Sequence, residues 1–168
     1  MERQRRKDPS KNLVECVIGD VRYGVTIGAV REIVNPLATV PLASAPSWIV
    51  GVADYRDEVV PVIDLRTRFG VHDGEATRRT KWIVVQRGAL SFALVVDAVT
   101  EVFRSGDVRP PPPLAIGAEV RAIEGVTSHD NEMVFVLDIA RLADLVEPNL
   151  VVQAEGGRQT VPPPRRDA

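Results

Sequence analysis

The stretch GVADYRDEVVPVIDL at residues 51–65 returns, altered, as GVTSHDNEMVFVLDI at residues 125–139. With an offset of 74, Gly51 pairs with Gly125, Val52 with Val126, Glu58 with Glu132, Val62 with Val136 and Asp64 with Asp138. Upstream of each copy, YGVTIGAVREIV (23–34) aligns with FALVVDAVTEVF (92–103) at an offset of 69, which sets Glu32 against Glu101 and Ala29-Val30 against Ala98-Val99. Two matched segments in the same order require two similarly built units within one chain. Tyr55 and Arg56 occur in only one of the copies.

The segments that make up these units are short, β-branched and punctuated by turn residues. LVECVI, Gly19-Asp20 and VRYGVTI read as one hairpin, and WIVVQ, Arg87-Gly88 and ALSFALVV as another, with EMVFVL as a further strand after His129-Asp130-Asn131. In GAVREIV (28–34), DAVTEVF (97–103) and DIARLADLV (138–146) apolar residues fall three and four apart, which predicts single helical turns and, for the last, a C-terminal helix. Pro36, Pro41 and Pro46, and then Pro110 to Pro113, mark extended connectors; the tetraproline reads as a stiff loop ahead of a ligand for an aromatic groove. Four or five strands per unit suffice for a small closed barrel that hides its edges. The expectation is a mainly β protein with two similar five-stranded barrels side by side.

The 168 residues and 45% apolar content suit one domain or two small packed ones. Residues 1–11 and 151–168 carry no apolar pattern and read as disordered tails around a domain at 12–150. Five basic and two acidic residues give the first tail +3, while 12–151 carries −6 and the remainder +1. An acidic body with basic tails is not a nucleic-acid footprint. No apolar run approaches the ~18 residues of a membrane span, and no signal-peptide core follows the basic N-terminus. Cys16, the only cysteine, reads as a buried thiol, consistent with a reducing cytoplasmic compartment. Eighteen arginines against three lysines suggest GC-rich bacterial coding.

Catalytic signatures are scarce. Asp64, Asp97 and Asp138 each end an apolar strand, and a carboxylate trio suits metal or acid–base work. Each also precedes an expected helical turn, where it would cap orphan backbone N–H groups, and the duplication explains Asp64 and Asp138 as one structural position. His72 and His129 lack zinc-site spacing and read as surface-loop histidines. There is no GxSxG elbow, Walker loop or GxGxxG motif, so neither an enzyme nor a cofactor or metal site is expected. A chain of this kind would present rigid β surfaces to other proteins.

Four stretches in order carry a resemblance to the CheW family of bacterial chemosensory coupling proteins, covering about 12–148. YGVTIGAVREIV resembles the family's "YGI…V.EI", and GVADYRDEVVPVIDLRTRFG its central "GV.NLRG.I.PVIDLR..F"; VVDAVTEVF is similar to "VVD.V.EV", and VRPPPPLAI with IEGVTSHDNEMVFVLDIARL to the late segment ending "LLDI..L". The resemblance implies two intertwined SH3-like five-stranded barrels with a hydrophobic groove between them, no catalytic activity and no cofactor. It implies as partners a chemoreceptor cytoplasmic tip and the regulatory domain of a CheA-type histidine kinase, bridged in a taxis or gliding-motility pathway. Carried over, it places Gly51 and the central motif with Arg56 at the partner-facing surface, Glu32 in the turn beside it, and Val84 and Val99 on strands near the groove.

The departures lie in the central motif. Where the family has Asn-Leu-Arg-Gly, this chain has Asp54-Tyr55-Arg56-Asp57. The glycine position favours φ > 0, which Asp tolerates better than most residues. Asp54, Asp57 and Glu58 are expected to pair with Arg56 and reduce its availability to a partner. Tyr55 reads either as an interface anchor or as a cap on the barrel end. Two other functions stay open: a specialised paralogue that binds only receptor or only kinase and caps, spaces or insulates the array, and an unrelated β-barrel enzyme or ligand binder using Asp64, Asp97 and Asp138. The second requires those three carboxylates to converge on one pocket.

Overall fold

A computed structural model describes residues 11–71, 75–111 and 122–156. The expectations for residues 1–10, for His72, for Pro112 and Pro113 and for 157–168 fall outside them. Ten strands form in order: β1 (Asn12–Ile18), β2 (Val21–Thr26), β3 (Val30–Val34), β4 (Ile49–Tyr55), β5 (Glu58–Asp64), β6 (Lys81–Arg87), β7 (Leu90–Val96), β8 (Ala98–Arg104), β9 (Ile123–His129) and β10 (Glu132–Leu137). Helix α1 (Leu65–Arg68) follows β5, and α2 (Ile139–Gly156) follows β10 and reaches into the stretch expected to be a tail.

The two expected hairpins are β1–β2 and β6–β7, with Gly19 and Gly88 at φ 61° and 58° in their turns. Two of the three expected helical segments are strands instead. Only Ile27–Ala29 forms a 3-10 turn before β3, and Asp97 leads directly into β8. On β3 the side chains alternate: Val30, Glu32 and Val34 are half-buried while Arg31 and Ile33 face solvent. An inward glutamate and an outward isoleucine invert the usual polarity of a strand, and the inversion imitates helical spacing.

The strands form two five-stranded sheets, ordered β8-β1-β2-β10-β9 and β3-β6-β7-β5-β4. Each sheet is built from both halves of the chain. The hairpin β1–β2 inserts among β8, β9 and β10, and β6–β7 inserts among β3, β4 and β5, each through one parallel contact, β2 with β10 and β7 with β5. We call the first sheet barrel A and the second barrel B. The repeat therefore predicts the units correctly, but each barrel borrows its central hairpin from the opposite half.

The ring of each barrel is closed by the connector that leaves its edge strand. Val40 and Val52 exchange backbone hydrogen bonds of 2.8 and 2.9 Å in barrel B; Arg109 and Val126, the equivalent pair, exchange bonds of 2.9 and 2.8 Å in barrel A. The close approach needs glycine on the strand beneath. A Cβ on Gly51, whose φ is 152°, would lie 2.7 Å from the Val40 carbonyl carbon, and one on Gly125 would lie 2.7 Å from the Arg109 carbonyl oxygen.

Period-2 alternation with both faces covered explains the density of Val, Ile and Leu. On β6, Trp82 and Val84 point into barrel B with Ala53, Tyr55, Val60, Val62, Ala93 and Val95, while Ile83 and Val85 face the other barrel. The largest core lies between the barrels, where β1, β2, β6 and β7 meet and α2 adds Ile139, Leu142, Ala143 and Val146. Cys16 is fully buried there, as expected, and burial pushes its thiol up to about 12. Barrel A is filled by Leu13, Phe103, Val134 and Val136 and, unexpectedly, by the fully buried Glu15, the counterpart of Val84 at the offset of 69.

Candidate functional site

The motif that singles out this chain lies at the open end of barrel B. Arg56 and Asp57 connect β4 to β5 with φ values of 48° and 62°, the left-handed pair of a type I′ turn; Asp130 and Asn131 repeat it at 49° and 60° in barrel A. Asp57 therefore does adopt the conformation that glycine would favour. The turn carries Arg56 over β3, where its Nε donates to Glu32 Oε2 at 2.8 Å and an Nη to Oε1 at 3.0 Å. The Tyr55 hydroxyl donates to the same Oε2. This fork geometry and the phenol hold the Glu32 carboxyl down to about 2, with the Arg56 hydrogen bonds the larger cause.

The expected partners of Arg56 are thus replaced by one from another strand. Glu58 pairs with Arg31 at 2.8 Å, and Asp54 and Asp57 are exposed with Asp54 opposite Val59 in the sheet. Arg31 also donates to Ser91 Oγ at 3.0 Å, and the guanidinium groups of Arg31 and Arg56 lie 5.4 and 5.8 Å from the centre of the Tyr55 ring. Tyr55 is 5% exposed and packs inside barrel B, so it caps the barrel end. Because β3 and β4 are the two edges of the sheet, the Glu32–Tyr55–Arg56 cluster clasps the barrel shut.

The remaining named residues scatter. Gly51 lies buried beneath the closing connector, and Val84 lies inside barrel B opposite Glu32 in the β3–β6 register, fully buried. Val99 is half-buried against the inter-barrel core, opposite Cys16. Arg31 belongs to the cluster but was missed, since nothing in its local sequence relates it to Glu58, which was expected on Arg56 and pairs with Arg31 instead.

The carboxylate trio does not form. Asp64 caps α1, accepting the Arg66 N–H at 2.9 Å, and Asp138 accepts the Arg141 N–H at 3.1 Å at the start of α2. Asp97 caps no helix: it accepts the Gly19 N–H at 2.7 Å and shares Arg66 with Asp64, at 3.4 and 3.0 Å. Arg66, whose own pKa is raised chiefly by its hydrogen bonds to Asp64, ties α1 of barrel B to the β1–β2 turn of barrel A. These carboxylates are structural fasteners, two of them sharing one guanidinium. His129 is not a surface-loop histidine either; it ends β9, stacks on Phe103 with centroids 3.9 Å apart and bonds Glu101 Oε1 at 2.7 Å.

Two barrels with exchanged hairpins, whose distinctive polar side chains clasp the barrel ends, define a duplicated β scaffold. The CheW-like domain family matches residues 12–147, and the chain belongs to it. It is 30% identical over 131 residues to the chemotaxis protein CheW of Rhizobium meliloti, spanning 77% of this chain and 84% of that one. It is also 30% identical over 140 residues to Protein FrzA of Myxococcus xanthus, spanning 81% and 87%. The crystal structure of the scaffolding protein TtCheW from Thermoanaerobacter tengcongensis superposes with a TM-score of 0.72 at 27% identity, covering 83% of this chain and 91% of that one. Proteins of this family are scaffolds and adaptors in chemotaxis. Among the described residues, no helix is long and apolar enough to cross a membrane.

Proposed function

We propose that this chain is a non-enzymatic cytoplasmic adaptor that couples chemoreceptor tips to the regulatory domain of a CheA-type histidine kinase. The observation that carries the proposal is a pair of matched apolar surfaces. Ile33 and Val59 are 38% and 71% exposed on barrel B, and their counterparts Val102 and Met133 are 52% and 56% exposed on barrel A. Each pair flanks a clasp strand. A protein that places unburied apolar side chains at equivalent positions on two rigid barrels is suited to hold two partners at a fixed separation.

The test is binding of purified protein to the cognate kinase regulatory domain and, separately, to the receptor tip. Wild type binds both, and Val59→Glu and Met133→Glu each weaken binding to one partner while leaving the protein folded. Failure of wild type to bind either partner overturns the adaptor reading.

A second reading, a paralogue that engages only one partner, is favoured by one feature: Arg56 is already held bidentate by Glu32 with Asp54 and Asp57 exposed beside it. A partner carboxylate would have to displace Glu32 and approach two like charges. Binding of both partners by wild type excludes this reading; binding restored only by Asp57→Gly supports it.

A further inference from the structure

The clasp of barrel B has a counterpart in barrel A with a different charge balance. Tyr55 with Glu32 becomes His129 with Glu101, Arg56 becomes Asp130, Arg31 becomes Thr100, and Val84 becomes Glu15. In barrel B two arginines balance Glu32 and Glu58. In barrel A, Glu15, Glu101, Asp130 and Glu132 surround His129 with Arg22 as the cation in contact, bonded to Glu15 at 2.7 Å and also to Glu132. Glu15 and Glu101 face each other directly across β1 and β8, a placement in which like charges repel.

Glu15 is the informative member. Its side chain is fully buried, and Oε1 accepts from Arg22 Nη1 at 2.7 Å and Thr100 Oγ1 at 2.8 Å. Oε2 is buried with no hydrogen-bond partner among the described residues. A carboxylate oxygen of Glu15, one of Glu101 and a ring nitrogen of His129 all lie within 4.8 Å of one another. A buried carboxylate oxygen left bare costs free energy, and a cation held among these three groups would remove that cost and the cross-strand repulsion together. Glu101 is 45% exposed, which gives an ion an entry and leaves room for water to complete its coordination.

We propose that Glu15, Glu101 and His129 form a binding site for a divalent transition-metal ion, Zn2+ or Mn2+ in class. One imidazole and two carboxylates suit such ions better than Mg2+ or Ca2+, which favour all-oxygen shells. Thr100 and Arg22 occupy Oε1 of Glu15, which leaves Oε2 as the oxygen we assign to the ion. Bound metal would replace the His129–Glu101 hydrogen bond with two coordinate bonds to one ion, and so would fasten β8 to β9 as Glu32 fastens β3 to β4.

The experiment is calorimetric titration of chelator-treated full-length protein with ZnCl2, with thermal unfolding followed in parallel. Wild type is expected to bind one Zn2+ and to unfold at a higher temperature with it. His129→Tyr, which copies the Tyr55 clasp, and Glu101→Gln should each weaken binding by at least about tenfold, the scale on which outer-shell losses alone are felt. Glu15→Val, which copies Val84, should fold and lose binding, so the proposal does not depend on one variant's stability. His72→Ala, removing the only other histidine, should bind as wild type does. Absence of saturable binding by wild type at millimolar Zn2+, unchanged binding in the folded variants, or loss of binding in His72→Ala overturns the site.

Discussion

Glu32, expected in a helical turn, is central to the fold as a strand residue. It faces inward from an edge strand, where Arg56 and Tyr55 both bond its carboxylate. The folded carboxyl is held down to about 2, below the ordinary unfolded value of about 4.3. Protons therefore bind the unfolded chain first, so the contribution of Glu32 is present above about pH 4.3 and is lost as pH falls toward 2. Urea midpoints measured at pH 7 and pH 2.5 should fall further for wild type than for Glu32→Gln; equal falls would mean the clasp carries no linkage. At the turn, Asp57 sits at φ 62°, where glycine is unstrained. Asp57→Gly is expected to raise stability by up to about 1 kcal/mol, read by chemical denaturation.

At the scale of elements, closure depends on backbone approach. Gly51→Ala forces a Cβ against the Val40 carbonyl and is expected to cost about 2–4 kcal/mol in equilibrium unfolding, with Gly125→Ala comparable. Arg66→Leu leaves buried Asp64 without its guanidinium and should destabilise by about 3 kcal/mol, whereas Arg141→Leu, on the exposed Asp138 pair, should change stability by less than about 1 kcal/mol. The hairpins β1–β2 and β6–β7 were legible because local turn chemistry and period-2 patterning agree there. β3 and β8 were not, because their polarity is set by a side chain from another strand. Glu32 is turned inward by Tyr55 and Arg56, more than twenty residues away, and Ile33 is turned outward as a result. The repeat held the missing signal: aligned at the offset of 74, Tyr55 and Arg56 fall on His129 and Asp130, which marks the second clasp.

For the whole molecule, the exchange of hairpins leaves each barrel incomplete without the opposite half of the chain. Local sequence cannot reveal this, since β1–β2 forms the same hairpin whichever strands it joins. A fragment of residues 11–79 would hold β3, β4 and β5 without the β6–β7 hairpin that connects them in the sheet. It is expected to show no cooperative thermal transition as a monomer, and co-expression with residues 80–156 should restore one; a stably folded monomeric fragment would contradict the exchange. The same topology has a historical consequence. A gene encoding one such half would make a product able to complete its barrels only with a second copy of itself, a symmetric homodimer. Duplication and fusion would lock that pair at a fixed stoichiometry and release its halves from identity, leaving tyrosine with arginine at one end and histidine with aspartate at the other.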